Sequence, residues 1–223
     1  NRDTAIFGGV NDFTGMTNVS AATTLRAGSA TGISPNSRML LNAATAVLDL
    51  NGFDVSVAAL RGDQTTANVA LGANTLTLSG SLLANSSSGE TLNFVQQVYQ
   101  GGFTGTGNLI KNGLFTQVLT AGGVVGYTGT TTVNAGILQT NKAMSTSALT
   151  VNNSTPTLLG GGSAFISNIA NSLTATTAVN LANIGSIWQI NNGFNQSIGS
   201  LAGATDSRVF LQGGAGNIVL TIT

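Results

Sequence analysis

The sequence predicts an all-β fold, a single parallel β-solenoid (β-helix) of roughly nine or ten coils with little or no α-helix. Three observations predict it. Short alternating strands are separated by turn residues, two blocks of sequence recur in the same order, and charge is scarce in a chain that is otherwise apolar enough to fold. Of 223 residues, 30 are glycine and 42% are hydrophobic, whereas only 6% are charged.

Helix signals are poor along the whole chain, because Gly, Thr, Asn and Ser interrupt nearly every candidate apolar stripe. Strand signals are short and frequent: Val47–Leu50, Asn68–Leu71, Thr75–Leu78, Leu149–Val151, Trp188–Ile190 and Ile218–Ile222. Each alternates apolar with small polar residues, so one face is buried and the other wet. Asn-Gly, Gly-Gly and Ser/Asn clusters between them supply turns, where residues tolerant of the left-handed region cost least.

Internal similarity selects a solenoid over a sandwich or barrel. Phe13-Thr14-Gly15-Met16-Thr17-Asn18-Val19-Ser20-Ala21 aligns with Tyr127-Thr128-Gly129-Thr130-Thr131-Thr132-Val133-Asn134-Ala135, an offset of 114 residues (13 to 127). Asn51–Leu60 aligns with Asn192–Leu201 at an offset of 141 (51 to 192). The offsets differ by 27, and a stacked-coil fold absorbs one additional coil without disturbing its neighbours. The reading is one domain, residues 1–223, with copy one over about 5–100 and copy two over about 101–223.

Coils of roughly 20–25 residues would stack at about 4.8 Å into a rod on the order of 45 Å long. At that spacing like charges on successive coils repel, whereas Thr, Asn and Ser form hydrogen-bonded ladders. Scarcity of charge thereby acquires a cause.

Composition also closes function classes. Seven Lys and Arg balance seven Asp and Glu, so the electrostatic footprint of a nucleic-acid binder is missing. No apolar run approaches the 18 or more residues of a membrane-spanning helix. With no His and no Cys, there is no thiolate nucleophile, disulfide frame, His-based metal site or His general base. The expectation is a protein that is not an enzyme and holds no cofactor or metal.

The repeated blocks carry a resemblance. Gly107-Asn108-Leu109-Ile110-Lys111-Asn112-Gly113 opens a unit, Val118-Leu119-Thr120 supplies a strand, and Tyr127-Thr128-Gly129 through Gly136-Ile137-Leu138 closes it. Leu48-Asp49-Leu50-Asn51-Gly52-Phe53 and Leu60-Arg61-Gly62 supply a downstream half. Together they cover about half the chain and resemble the passenger-associated, or autotransporter-associated, β-strand repeat of bacterial surface proteins. The resemblance implies a β-helix, and an extracellular or cell-surface location. One departure stands out: Ala21–Leu25 holds one residue more than Ala135–Leu138, which predicts a local bulge.

Candidate sites are few. Asp49 and Asp54 flank the Asn51-Gly52 turn and Asp63 lies one short element later, and β-helical polysaccharide-degrading enzymes use such carboxylates on one face, but turn capping is the simpler account. Asp3, Asp12 and Asp63 offer oxygen ligands without the dense acidic repeat of a calcium-binding solenoid. Glycines at 160–162 and at 213–214 lack the following Asp and the spacing of that calcium repeat, and the Gly-rich stretch 101–107 leads into strand-like sequence without the Gly-Lys-Ser/Thr and helix of a phosphate loop. Trp188 and Phe194 offer a sugar-stacking surface, against core packing for Trp188, which aligns with Leu48. Arg26, Arg38, Arg61 and Arg208 are scattered.

Neither terminus shows a polar or helical cap. The expectation is that copies stack head to tail into a filament through end strands carrying Ile6, Phe7 and Val10 at one end and Ile218, Val219, Leu220 and Ile222 at the other. The partners expected are therefore the chain itself and, on the polar faces, host or matrix glycans. An adhesin-type passenger segment is the alternative, and a polysaccharide-degrading β-helix the third reading.

Overall fold

A computed structural model describes residues 3–80, 96–120, 122, 123, 125–152, 163–214 and 217–223. Every named strand pair is parallel, and the chain winds through about nine turns. The first two turns hold β1 (Thr4–Phe7) with β2 (Met16–Val19), then β3 (Thr24–Ala27) with β4 (Arg38–Leu41). Turn three is β5 (Val47–Asp49), β6 (Val55–Val57) and β7 (Ala59–Arg61). Turn four is β8 (Asn68–Gly72), β9 (Thr75–Leu78) and β10 (Gln97–Tyr99). Turn five is β11 (Gly102–Gly105), β12 (Asn108–Lys111) and β13 (Thr116–Leu119). Turns six to eight pair β14 (Thr130–Val133) with β15 (Ile137–Thr140), β16 (Ala148–Val151) with β17 (Ala164–Ser167), and β18 (Ala178–Leu181) with β19 (Ile187–Ile190). Turn nine is β20 (Gln196–Ile198), β21 (Ser200–Gly203) and β22 (Arg208–Leu211), and β23 (Leu220–Ile222) follows.

These strands form three faces, met in the same order on each turn. The first face runs β1-β3-β5-β8-β11. It continues through the bridges Phe103↔Val125 and Val125↔Met144. Met144 N–H then donates to Ser172 O, and Asn171 N–H to Asn195 O, leading to the pair β20-β23. The second face is β6-β9-β12-β14-β16-β18-β21. The third is β2-β4-β7 and β10-β13-β15-β17-β19-β22, joined by the bridge Gly62↔Tyr99.

Alternation puts every second side chain inside, and register stacks like on like. Leu25, Leu48, Val69 and Phe103 succeed one another up the first face, all buried. Leu138, Phe165 and Trp188 do the same on the third. Each such side chain contributes about 1.5–3 kcal/mol by leaving water. Outward positions carry the ladders that the sequence predicts. Asn134 Nδ2 donates to Asn112 Oδ1 (2.7 Å), and Asn152 Nδ2 to Asn134 Oδ1 (2.8 Å). A second ladder links Asn141, Asn168 and Asn191 at 3.0 and 2.7 Å.

The motif glycines are contact points between coils. A Cβ on Gly113 would lie 1.9 Å from Gly80 O, and one on Gly129 would lie 2.1 Å from Gly107 O. Gly107 and Gly113 therefore flank β12, and Gly129 and Gly136 flank β14 directly above it, so the two halves of the motif are successive rungs of one face. The predicted Asn-Gly turns are present, with φ of 50° and 86° at Asn51-Gly52 and of 56° and 74° at Asn192-Gly193. Left-handed geometry at both positions is the signature of a type I′ turn. The additional residue of Ala21–Leu25 is absorbed before β3, where Thr23 N–H donates to Ala21 O in a tight three-residue turn (2.6 Å), and not as a bulge within a strand.

The two aligned copies do not occupy equivalent faces. Block one lies on the third face in copy one (β2) and on the second in copy two (β14). Block two moves likewise: β6 is on the second face and its counterpart β20 on the first, while β7 is on the third and β21 on the second. Every matched element is displaced by one face in the same sense. Between the blocks, copy two contains three more faces than copy one, which makes the 27 additional residues one complete turn.

Candidate functional site

An open groove of about 380 Å³ crosses the third face where its two sheets meet, lined by Leu40, Asn42, Arg61, Gly62, Asp63, Gln96, Val98 and Gln100. Register builds it. Leu40 pairs with Arg61, and the Gly62↔Tyr99 bridge sets Arg61 beside Val98 and Asp63 beside Gln100. Two outward columns result across three turns, Leu40–Arg61–Val98 and Asn42–Asp63–Gln100, with Gln96 at the near end of β10. The close approach of strands rests on Gly62: a Cβ there would lie 2.5 Å from Leu41 O. Gln64 Nε2 donates to Asp63 Oδ1 at 2.8 Å, which holds this exposed carboxylate at the rim.

The other predicted carboxylates are structural. Asp49 Oδ2 accepts from Arg26 Nε at 2.9 Å, and its Oδ1 accepts from Asn51 N–H, capping the turn. Asp54 Oδ1 accepts from Thr75 N–H of the next turn at 2.8 Å. Asp3 and Asp12 lie exposed on the first turn, and among the described residues no three acidic side chains converge on a metal position. Trp188 is fully buried, with Nε1 donating to Ser167 Oγ at 2.9 Å, and Phe194 packs against the core. Neither presents a stacking surface to a sugar. Glycines 160–162 lie outside the described residues.

The end-strand residues divide by orientation. Ile6 pairs with Arg26 and points outward, 62% exposed, and Val10 is 83% exposed. Phe7, Ile218 and Leu220 pack partly against the core, while Val219 and Ile222 are about half exposed. Ile222 sits in register on buried Ile198.

Both lysines of the sequence are buried. Lys111, core-facing between Leu78 and Val133, donates to Gly113 O and to Ala135 O (3.2 Å) and lies 3.8 Å from the centre of the Phe115 ring. Lys142 donates to the carbonyls of Gln100, Gly101 and Gly123 at 3.0, 2.8 and 3.1 Å, tying three turns together. Loss of water around each ammonium lowers its pKa, to about 7 for Lys111 and about 8 for Lys142. Period-two alternation from Leu109 was the available signal that Lys111 points inward. Tyr127, opening the Tyr-Thr-Gly element, is enclosed too: its hydroxyl meets Thr131 Oγ1 at 2.5 Å, and Thr131 donates to Thr146 Oγ1 at 2.9 Å. Copy one has Phe13 there, and its Thr17 bonds Ser37 Oγ instead (2.7 Å).

No family model and no solved structure matches the chain. A stretch of 130 residues, 58% of the chain, is 45% identical to part of the adhesin BmaC autotransporter of Brucella suis biovar 1 (strain 1330). The chain spans 3% of the length of that relative. Repeat motifs, parallel winding and this similarity agree on one kind of molecule: the chain is a β-helix that resembles an autotransporter passenger.

Proposed function

We propose that this solenoid is a non-enzymatic structural segment of a bacterial cell-surface adhesin, holding binding surfaces away from the cell and presenting them on its polar faces. The observation that carries this reading is the 45% identity to an autotransporter adhesin, on a fold whose motif residues tie coil to coil. Asp49, Asp54, Lys111 and Lys142 all serve stacking, which suits a stalk better than a catalyst. Cells displaying the chain on an outer-membrane anchor should be retained on immobilised host matrix, and cells with the anchor alone should wash off. Equal retention would remove the reading, as would release of sugar from polysaccharide by the purified chain.

A second reading, end-to-end association of copies, is supported by the edge strands β1 and β23. Ile222 is half exposed in register on buried Ile198, and Ile6 is 62% exposed on β1, so both strands offer apolar side chains for contact. Electron microscopy should then show fibres that Ile6→Lys and Ile222→Lys abolish. Uniform monomers at high concentration would exclude it.

A further inference from the structure

We infer that the groove across β4, β7 and β10 is a binding site for a neutral hexopyranose unit of a glycan; this deepens the adhesin reading and rests on it for its biological setting. Ligand sites of small size run from roughly 300 to 1,000 Å³, combining an apolar floor with a few placed polar groups. The groove, at about 380 Å³, lies at the small end of that range. Leu40 and Val98, with the methylene stem of Arg61 between them in the same column, form the apolar floor, suited to the C–H face of a pyranose ring.

Around that floor stand Asn42, Gln96 and Gln100 with Asp63. Each amide offers a donor and an acceptor side by side, and the carboxylate accepts from two hydroxyls at once. Vicinal hydroxyls of a sugar, each both donor and acceptor, are the complement of that set. Charge selects among sugars: Arg61 and Asp63 balance, so the groove has no net attraction for an anion, and Asp63 repels a carboxylate or sulfate brought beside it. The lining comes from three turns whose backbones are fixed by the Leu40–Arg61 pairing and the Gly62↔Tyr99 bridge, and Asp63 is held by Gln64, so the strands that carry the polar groups are in register before a ligand arrives.

The test uses the 223-residue chain, titrated with methyl glycosides of neutral hexoses and of N-acetylhexosamines, with methyl glucuronate as the charged comparator. Saturable binding of at least one neutral glycoside is expected, weakened about tenfold by Asp63→Ala and by Gln96→Ala, as loss of a polar contact implies. Both side chains face solvent, and unchanged melting curves would show the variants folded. Absence of saturable binding overturns the inference, as does binding that both variants leave intact or that glucuronate equals. The two levels separate cleanly. Retention of displaying cells without sugar binding sinks the groove and spares the adhesin reading; sugar binding without retention does the reverse.

Discussion

Gln117 hydrogen-bonds the backbone of Leu60, 57 residues earlier, with both ends of its side-chain amide: Leu60 N–H donates to Oε1, and Nε2 donates to Leu60 O, each at 3.1 Å. Nε2 also reaches Gln97 O at 2.8 Å. Between β7 and β10 the one backbone bridge among the described residues is Gly62↔Tyr99, so a side chain stands in for the missing peptide partner. Replacement by leucine would strand two buried backbone groups. Gln117→Leu should therefore cost roughly 2–4 kcal/mol in urea titration, at about 1–3 kcal/mol per unsatisfied group. Gln139→Leu, on the outer side of the next strand, should cost less than about 0.5 kcal/mol. Equal effects would contradict the role assigned to the amide.

Stability should depend on pH in an unusual way. Lys111 and Lys142 have folded-state pKa values of about 7 and about 8 against an ordinary 10.5. Over that interval the unfolded chain binds more protons, so stability rises with pH from about 7 towards 10.5. Tyr99 and Tyr127 act oppositely, since burial raises both above their ordinary 10.0 and the unfolded chain deprotonates first. Denaturation midpoints should climb from pH 7, peak near pH 10 and fall beyond it. The double variant Lys111→Met with Lys142→Met should lose the climb and keep the fall.

Two glycines that look alike in sequence should respond differently to alanine. At Gly113 an added Cβ meets Gly80 O at 1.9 Å, so coils must separate, at a cost of about 3 kcal/mol or more. At Gly193 nothing lies within 4 Å, and only its φ of 74° opposes a side chain. Gly193→Ala should cost about 1–2 kcal/mol. Thermal unfolding of the pair checks the order, and a reversal would refute the close-approach account.

The asparagine ladder makes a prediction of its own. Asn134 donates to Asn112 and accepts from Asn152, so Asn134→Asp keeps the acceptor and loses the donor. The variant should be less stable by about 1 kcal/mol at pH 7. The deficit should shrink below about pH 4, where a protonated carboxyl regains one O–H donor. A deficit unchanged by acid would mean that the ladder does not carry it.

Strands and turns were legible because they depend on local alternation and on Asn-Gly pairs, and Leu48, Leu76 and Leu149 all face the core as alternation requires. Ladders were legible because Asn recurs at coil spacing. The groove was not: it depends on how Gly62 meets Tyr99 across a ladder with one bridge, a register that no repeat encodes. Lys111 stands in the sequence as one residue of the motif that opens the unit, and its place two residues after Leu109 in the alternation puts it inside. Gln117 gave no signal at all, since its partner Leu60 lies 57 residues earlier in sequence but only two turns away along the axis.

The displacement of matched blocks by one face separates ancestry from direction. A segment duplicated along this rod does not show its surface on the same side again; it re-emerges a third of a revolution round the axis. An array of such units would distribute its exposed groups as a spiral staircase and not as a stripe. A ligand-bearing patch would then meet partners approaching from several sides. Gain or loss of one strand's length would re-aim everything beyond it, while gain of a whole turn, as in the 27 residues that distinguish the copies, would leave every heading unchanged.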